Sequence, residues 1–490
     1  MFEKVKWSDV SRREILKAGT AAAAVAGTPL AAGQALAGAH GSENDKIVAS
    51  AKKAVPGGQD LTGLMWGLYS SGAKPVMDEF GDLTGIKISK LQDISAFEIP
   101  QRAMAEALSK SPEFDFFHVD TNMIPSLASA GLLEPLDEYM KSAGFSINAV
   151  GDFGKFLTYK GKTYCITTDG NVHVQFIRSD LWNDPDERKA FADKHGRELT
   201  WPDTWEEDLE IMKFFHRPDK DLYGTASLRD RGSSTAWWYM YLYSAGGFPF
   251  TDDMDPNIDN EIGEYAFQTY LDLKQVSHPE AAGWGTPQMI PRIVNGQAFS
   301  CQYWDGIIAL AENPKKSKTT GKWAYGPVPG SKKSGKLIKR SISTPNVGIL
   351  VNRHSPRKAA MAHMAMYLGT AVNSAKIVGD PVNTFHDPWH VDHFKDGSLP
   401  SKVYTPGGMK AIKQNLQIVT PPIFLTGLLE FETELKRNFS EMYAGDKTAK
   451  KAASDTSEAW AKSIRRIGKR RLKEELATYK SLFPSVDVPA

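Results

Sequence analysis

LTGLMWGLYSSGAKPVMDEFGDLTGIKISKLQ (residues 61–92) decides the fold class. The apolar run at 61–69 predicts a buried strand, and residues 70–85 predict a loop and a helix that ends at Gly85. Alternating β-branched residues at 86–92 predict a second strand. Because two parallel strands need a long crossover between them, this order indicates a β-α-β unit.

The next segments repeat the pattern. Residues 99–110 predict a helix, and the short apolar run at 114–120 predicts a third strand. Strands alternating with helices indicate a parallel sheet with right-handed crossovers. Ligands of such sheets bind beyond the carboxyl ends of the strands, so we expect residues 69–71 and 120–122 to face one cleft.

Further along, the sequence continues to mix strands and helices. A hairpin is predicted around residues 160–162, and a helix is predicted after Thr204, whose hydroxyl forms a capping box with Glu207. A strand followed by a helix capped by Ser355 is predicted next. The tail, residues 430–485, is predicted to be helical and is strongly charged.

The N-terminus has the pattern of an export signal. Residues 1–17 are basic, with Arg12 and Arg13 adjacent, residues 18–36 are mostly apolar, and small residues follow. This order predicts a twin-arginine-type signal peptide over residues 1–37, which carries folded proteins out of the cytoplasm. The alternative is an ordinary signal for export of the unfolded chain.

Composition is that of an exported globular protein. Lys and Arg total 59 against 58 acidic residues, so no net field favours nucleic acid or an anionic membrane. Cys165 and Cys301, the two cysteines, lie far from the leader, so no lipid anchor is expected and the mature protein is predicted to be soluble in the periplasm. The two thiols could pair or stay apart, and their spacing does not decide between these alternatives.

Seven segments, in this order, resemble the extracellular solute-binding proteins of carbohydrate ABC transporters, the branch that includes maltose-binding protein. They are FGDLTGIKIS (80–89), FDFFHVDTNMIPSLASAGLLEPLDEY (114–139), YKGKTYCITTDGNV (159–172), WPDTWEEDLE (201–210), NGQAFSCQYWDGI (295–307), YGPVPG (325–330) and SPRKAAMAHMAMYL (355–368).

The resemblance implies a two-lobed α/β fold in which hinge strands join two mixed sheets, each flanked by helices. Lobe one is expected at 44–166 and 346–400, and lobe two at 168–343 and 401–490, the latter with the C-terminal helices. The hinge strands are expected to cross near residues 166–168 and 343–346. The implied function is capture of a sugar or oligosaccharide between the lobes and its delivery to an inner-membrane ABC permease. A monomer without a cofactor is expected.

A sugar site needs flat apolar faces for the pyranose ring and planar polar groups for its hydroxyls. Trp304 ends an apolar strand, where a core role is less natural, and by resemblance a Trp at this place stacks on sugar. For Trp237, Trp238 and Tyr241 the alternative is packing within a helix core. The predicted ligand-binding residues are Tyr69, Ser70, Asp120, Thr121, Asn122, Asp169, Asn171, Trp237, Trp238, Tyr241, Trp304 and Asp305.

Three other stretches of the sequence resemble chemical sites. GSKKSGKL (330–337) has P-loop spacing, but Leu337 replaces the Mg²⁺-binding Ser or Thr, so a surface loop is predicted. DMDPNIDNEIGE (253–264) resembles a calcium loop but has Ile258 where Gly is needed, so a helix cap is preferred over a calcium site. His386, His390 and His393 could bind a metal, but a solvated surface loop is the preferred interpretation.

No nucleophile elbow or metalloprotease motif is present, so an enzyme is not expected. The alternative class is an exported enzyme, either carbohydrate-active or cofactor-bearing.

The leader yields a first prediction. Replacing both Arg12 and Arg13 by Lys is expected to keep the precursor in the cytoplasm, because the twin-arginine exporter recognises the arginine pair. Fractionation followed by immunoblotting measures the result. Normal amounts of mature protein in the periplasm would contradict the twin-arginine assignment.

Overall fold

The structure, a computed structural model, describes residues 43–96, 98–110, 112–227, 235–342, 347–380 and 385–483. The predicted signal peptide and the second predicted hinge segment, residues 343–346, lie outside the described residues. Among the described helices, none is both long enough and apolar enough to cross a bilayer.

Strands of the described residues, in chain order, are β1 Gln59–Leu64, β2 Ile86–Gln92, β3 Phe116–Asp120, β4 Thr158–Tyr159, β5 Lys162–Thr163, β6 Cys165–Thr167, β7 His173–Arg178, β8 Tyr223–Thr225, β9 Ala298–Trp304, β10 Trp323–Gly326, β11 Gly330–Ser331, β12 Ile338–Lys339, β13 Ser341–Ile342, β14 Val347–Val351 and β15 Val419–Thr420.

The α-helices are α1 43–54, α2 Gly67–Thr84, α3 Ile99–Ser109, α4 Ile124–Ser129, α5 Asp137–Ala143, α6 Ser179–Trp182, α7 Pro185–His195, α8 Trp205–Phe215, α9 Thr235–Ser244, α10 Glu261–Asp272, α11 Thr286–Val294, α12 Gly306–Ala311, α13 Lys358–Leu368, α14 Ala371–Val378, α15 Leu399–Val403, α16 Thr405–Leu416, α17 Leu428–Ala444, α18 Ala449–Ile467 and α19 Lys469–Leu482.

The first sheet has the strand order β2-β1-β3-β14-β6. Strand β1 is parallel to both β2 and β3, with α2 and α3 as crossovers, which confirms the β-α-β-α-β prediction. Strand β14 returns from far along the chain and lies antiparallel between β3 and β6. The sheet is therefore mixed, because β14 runs antiparallel to both of its neighbours.

The prediction of one strand over residues 61–69 is wrong at its carboxyl end. Strand β1 ends at Leu64, and α2 begins at Gly67, whose N–H donates to Asp93 Oδ1 at 2.6 Å. Tyr69 and Ser70 therefore belong to the first helical turn rather than to a strand end or a loop. A short apolar run in the sequence does not show where a strand ends and a buried helical turn begins, since the residues of both are apolar. The predicted helix end is confirmed, because Gly85 takes a φ of 79° there.

The second sheet has the order β10-β7-β9-β8, in which β7 is antiparallel to β9 and β10, and β8 is parallel to β9. Each sheet is flanked by helices and forms the centre of one lobe of a two-lobed α/β fold. The chain leaves the first sheet after Thr167 and enters the second at His173. The predicted first hinge falls in this connection, and both the hinge and the lobe boundaries remain predictions.

The predicted helical tail forms α17, α18 and α19, and α19 binds both lobes. On lobe one, Glu475 accepts a 2.8 Å hydrogen bond from Tyr159, and Lys155 Nζ donates to the Leu482 carbonyl at 2.6 Å. On lobe two, Lys473 and Lys480 form ion pairs of 2.5 and 2.6 Å with the neighbouring residues Asp253 and Asp252. We call α19 the bridging helix, since it contacts residues of both predicted lobes, and its assignment to lobe two stays a prediction.

Three helix caps were predicted from the sequence, at Thr204, within residues 253–264 and at Ser355. The Thr204 hydroxyl accepts from the Glu207 N–H, as the capping box predicts. Asn260 caps α10 by accepting from two backbone N–H groups, which confirms the helix-cap interpretation of residues 253–264. Helix α13 begins at Lys358, later than predicted, but the Ser355 hydroxyl accepts from the Arg357 N–H at 2.9 Å, as a residue that precedes a helix does, and it also donates to the buried carboxylate of Asp115.

The P-loop-like segment and the two cysteines take ordinary structural positions. Residues 330–337 belong to a hairpin in which β11 pairs with β12, so the P-loop-like spacing lies in no nucleotide-binding context. Cys165 and Cys301 are both buried and free, one in each sheet. Burial raises the pKa of both thiols, which makes them poor nucleophiles.

Asp115 joins β1 to the segment before α13 and gives the second prediction. Its carboxylate is fully buried and accepts hydrogen bonds from Thr62 N at 2.7 Å and Arg357 Nε at 2.9 Å, besides the Ser355 hydroxyl. Asp115→Ala is expected to lower the free energy of unfolding by about 3 kcal/mol, because it leaves buried donors and a guanidinium without their partner.

The matched control is Asp78→Ala, which breaks the exposed pair with Lys74. It should cost less than about 1 kcal/mol, since exposed ion pairs contribute little. Urea unfolding followed by circular dichroism measures both. Equal losses in the two variants would contradict the role assigned to Asp115.

Candidate functional site

A cavity of about 570 Å³ lies between the lobes. Lobe one contributes the first turn of α2, the start of α3 and the end of β3, and lobe two contributes α9, α11 and the end of β9. Helix α17 supplies a third wall, and the segment that begins at Phe385 supplies part of the floor. Since both lobes line the cavity, a molecule held here contacts both.

One wall is aromatic. Trp66, Tyr69 and Phe385 pack edge to face, with ring centroids 5.5–6.1 Å apart. Trp304 lines the cavity from the end of β9 and is only partly buried, with its ring supported by His173 at 4.8 Å and Trp237 at 5.4 Å. Such faces suit the C–H surfaces of a sugar or polyol.

Polar groups follow β3 at its carboxyl end, as the strand order predicts. Asp120 ends the strand, and a 3₁₀ turn, Thr121–Met123, brings Asn122 to the cavity while Thr121 is fully buried beside it. The Oδ1 atom of Asn122 has no hydrogen-bond partner in the described structure. This oxygen can accept a hydrogen bond from a ligand.

Asp120 is the carboxyl group best placed to meet a ligand. Burial and, to a smaller extent, the Glu432 carboxylate raise its pKa to about 7, against the opposing effect of Lys436. Both of these charged residues lie on α17 and line the same cavity. Asp120 therefore titrates near neutral pH.

Behind the cavity floor lies a cluster of three carboxyl groups. Asp169 accepts from the Asp387 backbone N–H, and Asp305 accepts from Val172 N at 2.9 Å and hydrogen-bonds the Asp387 side chain. Burial raises the pKa of Asp305 to about 7 and the pKa values of Asp169 and Asp387 well above the usual range. A hydrogen bond between two carboxyl groups needs a proton, so this cluster carries less than its full negative charge near neutral pH.

The structure brings together five of the predicted ligand-binding residues. The cavity is lined by Tyr69, Asp120, Asn122, Asn171 and Trp304. Their role in binding remains a prediction, but their common position fits it.

The remaining predicted residues are not among those lining the cavity. Asp169 and Asp305 are fully buried in the carboxyl cluster, and Trp237 donates to the Gln302 carbonyl at 3.0 Å behind Trp304. Ser70 and Thr121 only flank residues that line the cavity. The binding role of Asp169, Asp305 and Trp237 stays a prediction, and in this structure they lie next to residues that line the cavity.

Trp238 and Tyr241 lie in the core. Trp238 packs against Phe267 and Trp460, and Tyr241 packs against Trp205. Every residue of α9 is buried, so sequence could not show which side of the helix faces the cavity. The side that does so carries Thr235, Ala236 and Tyr239.

His386, His390 and His393 are buried, not solvated as predicted. His393 Nε2 lies 2.9 Å from the Ser374 hydroxyl, and His390 Nδ1 accepts from a backbone N–H. These contacts hold the loop in place. In the described ranges, no group of three His, Cys, Asp or Glu residues is arranged to hold a metal ion.

Sequence reasoning missed several cavity residues. Phe385 and Asp387 stand beside the histidines, in a stretch that was interpreted as a surface loop. The charged residues of α17, among them Glu432 and Lys436, resemble a solvated helix face. No signal in a single sequence shows that this face turns toward the cleft.

Comparison with known proteins places the chain among binding proteins. The family model for bacterial extracellular solute-binding protein matches residues 67–373. A probable amino-acid ABC transporter periplasmic-binding protein of Sinorhizobium fredii is 23% identical over 269 residues, 52% of this chain. The match spans 58% of that relative, so the chain covers less than two thirds of its length.

Solved structures share the fold. Maltose-bound MalE3 of T. maritima superposes with a TM-score of 0.69 at 17% identity, covering 82% of this chain and 99% of that one. A ribitol complex from Agrobacterium radiobacter and a D-mannitol complex from Agrobacterium vitis each give 0.70 at 16% identity, covering 84% of this chain and 99% of each structure. At these identities the likeness shows the two-lobed fold. The family match covers more than half of the residues, and the chain belongs to the bacterial extracellular solute-binding proteins.

Proposed function

We propose that this protein is the substrate-binding component of an ABC importer that captures a sugar, oligosaccharide or polyol between its lobes and delivers it to a membrane permease. The observation that carries the proposal is the cavity itself, to which both lobes contribute aromatic faces and planar polar groups. The structural relatives with bound maltose, ribitol and mannitol support this ligand class. The predicted periplasmic location and monomeric state belong to the same proposal.

Binding acts by hinge closure. A ligand that touches Tyr69 and Asn122 on lobe one and Trp304 on lobe two makes all of its contacts only when the lobes are together. It therefore stabilises the closed form relative to the open form, and the permease recognises the closed form. No bond of the ligand is made or broken in this mechanism.

The name of the S. fredii relative raises an amino acid as the alternative ligand. The carboxylate of an amino acid needs a cationic partner in the site. Lys436 and Arg437 line the cavity, but they form ion pairs with Glu432 at 2.9 Å and Glu434 at 2.5 Å. The excess of acceptor oxygens favours a hydroxyl-rich ligand.

Small-angle scattering tests closure. A thermal-shift screen of sugars and polyols first identifies a ligand, which at a hundred times its Kd adds about 2.7 kcal/mol to stability. The radius of gyration is then expected to fall when this ligand saturates the protein, because the two lobes approach each other. A sugar without a thermal shift serves as the control. An unchanged radius at saturation would count against the mechanism.

Trp304 and Trp238 form a matched pair for the next prediction. Trp304→Ala is expected to weaken ligand binding about tenfold to a hundredfold, by analogy with the stacking of bases on aromatic side chains, with little loss of stability. Trp238→Ala is expected to cost about 3–5 kcal/mol of stability, because its side chain is fully buried against other aromatic rings. Calorimetric titration and melting curves measure both variants. A Trp304 variant that melts early but binds normally would place that residue in the core.

A further inference from the structure

The cavity holds more acidic than basic side chains. Glu98, Asp120, Asp387 and Glu432 line it, against Lys436 and Arg437. Both basic side chains are ion-paired with glutamates of their own helix, α17. Lys436 thus pairs with Glu432, and in the described ranges Asp120 and Asp387 are acidic side chains of the cavity that form no ion pair.

The excess is concentrated near Asp120. In the described part of the chain, the Asp120 carboxylate accepts no hydrogen bond, and neither it nor Asp169, Asp305 or Asp387 takes part in a salt bridge. Oδ2 of Asp169 and Oδ2 of Asp305 are buried without partners. Asp120 is partly buried at the cavity, and a carboxylate with neither a donor nor a cation beside it gains from a positively charged partner.

A second observation points to a donor from outside the protein. Asn122 is 6% exposed, lines the cavity and has an unpartnered Oδ1 two residues from Asp120. The aromatic rings of Trp66 and Tyr69, whose centroids lie 6.1 Å apart, line the same cavity, and Tyr69 is close enough to Asp120 to feel its charge. Anionic and amide oxygens beside π faces are the surroundings that an ammonium group prefers, since it has three N–H donors and a positive charge.

We propose that the ligand is an amino sugar or amino polyol, and that its protonated amine pairs with Asp120 and donates to Asn122 Oδ1. This inference rests on the proposed function and names the ligand class more narrowly. The hydroxyls of the ligand then form hydrogen bonds with the remaining polar groups of the cavity, and Trp304 packs against the carbon skeleton of the ligand.

The charge of Asp120 gives the pairing a definite pH dependence. The groups facing it are Glu432 and Lys436 of α17, Tyr69 of α2 and Asp169 of the interlobe segment. With a pKa of about 7, Asp120 is mostly protonated at pH 6 and mostly ionised at pH 8, whereas the primary amine of an amino polyol stays protonated at both. Affinity for 1-amino-1-deoxy-D-sorbitol should therefore rise about tenfold from pH 6 to pH 8, and affinity for D-sorbitol should not.

The experiment compares ligands that differ only in the charged group. Calorimetric titration is performed with 1-amino-1-deoxy-D-sorbitol against D-sorbitol and with D-glucosamine against D-glucose. We expect at least one amine to bind about tenfold or more tightly than its neutral partner at pH 7.5. Asp120→Asn should abolish that preference, and Asp82→Asn, at an exposed position with the same change in charge, should keep it.

The outcomes separate the two proposals. If neutral ligands bind as tightly as amines and the lobes still close, the amine assignment is overturned and the importer function stands. Preference for an amine that survives in Asp120→Asn also overturns the assignment. If neither amines nor neutral sugars and polyols bind, both proposals fail. Should Asp120→Asn not fold, the pH dependence of the unmodified protein decides the question.

Discussion

The architecture depends on the antiparallel insertion of β14 between β3 and β6. In this register Val347 pairs with Asp120, and Gly348 pairs with Thr167. The end of β3, the exit from β6 and the entry into β14 therefore meet at one edge of the first sheet, where the cavity begins. A Cβ at Gly348 would lie 2.4 Å from Cys165 Sγ, so the close approach of these strands requires glycine at that position.

Much of this frame could be predicted from the sequence, because it rests on local patterns. The alternation at 86–92, the capping at Thr204 and the helix end at Gly85 each have a local physical cause that the structure confirms. The directions of side chains in wholly buried elements could not be predicted. Helix α9 is buried on every side, so the sequence alone left open whether Trp238 and Tyr241 face a ligand or the core, where the structure places them.

The cavity was predicted less completely than the frame for the same reason. Asp120 and Asn122 follow a recognisable strand, and their position obeys a general rule about strand ends. Asp387 and Glu432 come from segments that reach the cavity only through tertiary packing. The burial of Asp387 has a thermodynamic consequence, since a carboxyl group held away from water lowers the stability of the protein and favours the binding of a compensating partner.

The bridging helix bears on how this protein could be turned into an optical sensor. Its last turn is held to lobe one, where Phe483 stacks on Phe156 at 4.5 Å, while its lysines hold it to lobe two. A fluorophore fused after this helix would be attached to an element that contacts both lobes. Its emission would therefore change little when the lobes rotate relative to each other. Dyes attached to exposed positions on separate lobes, such as Leu108 on lobe one, would report the rotation directly.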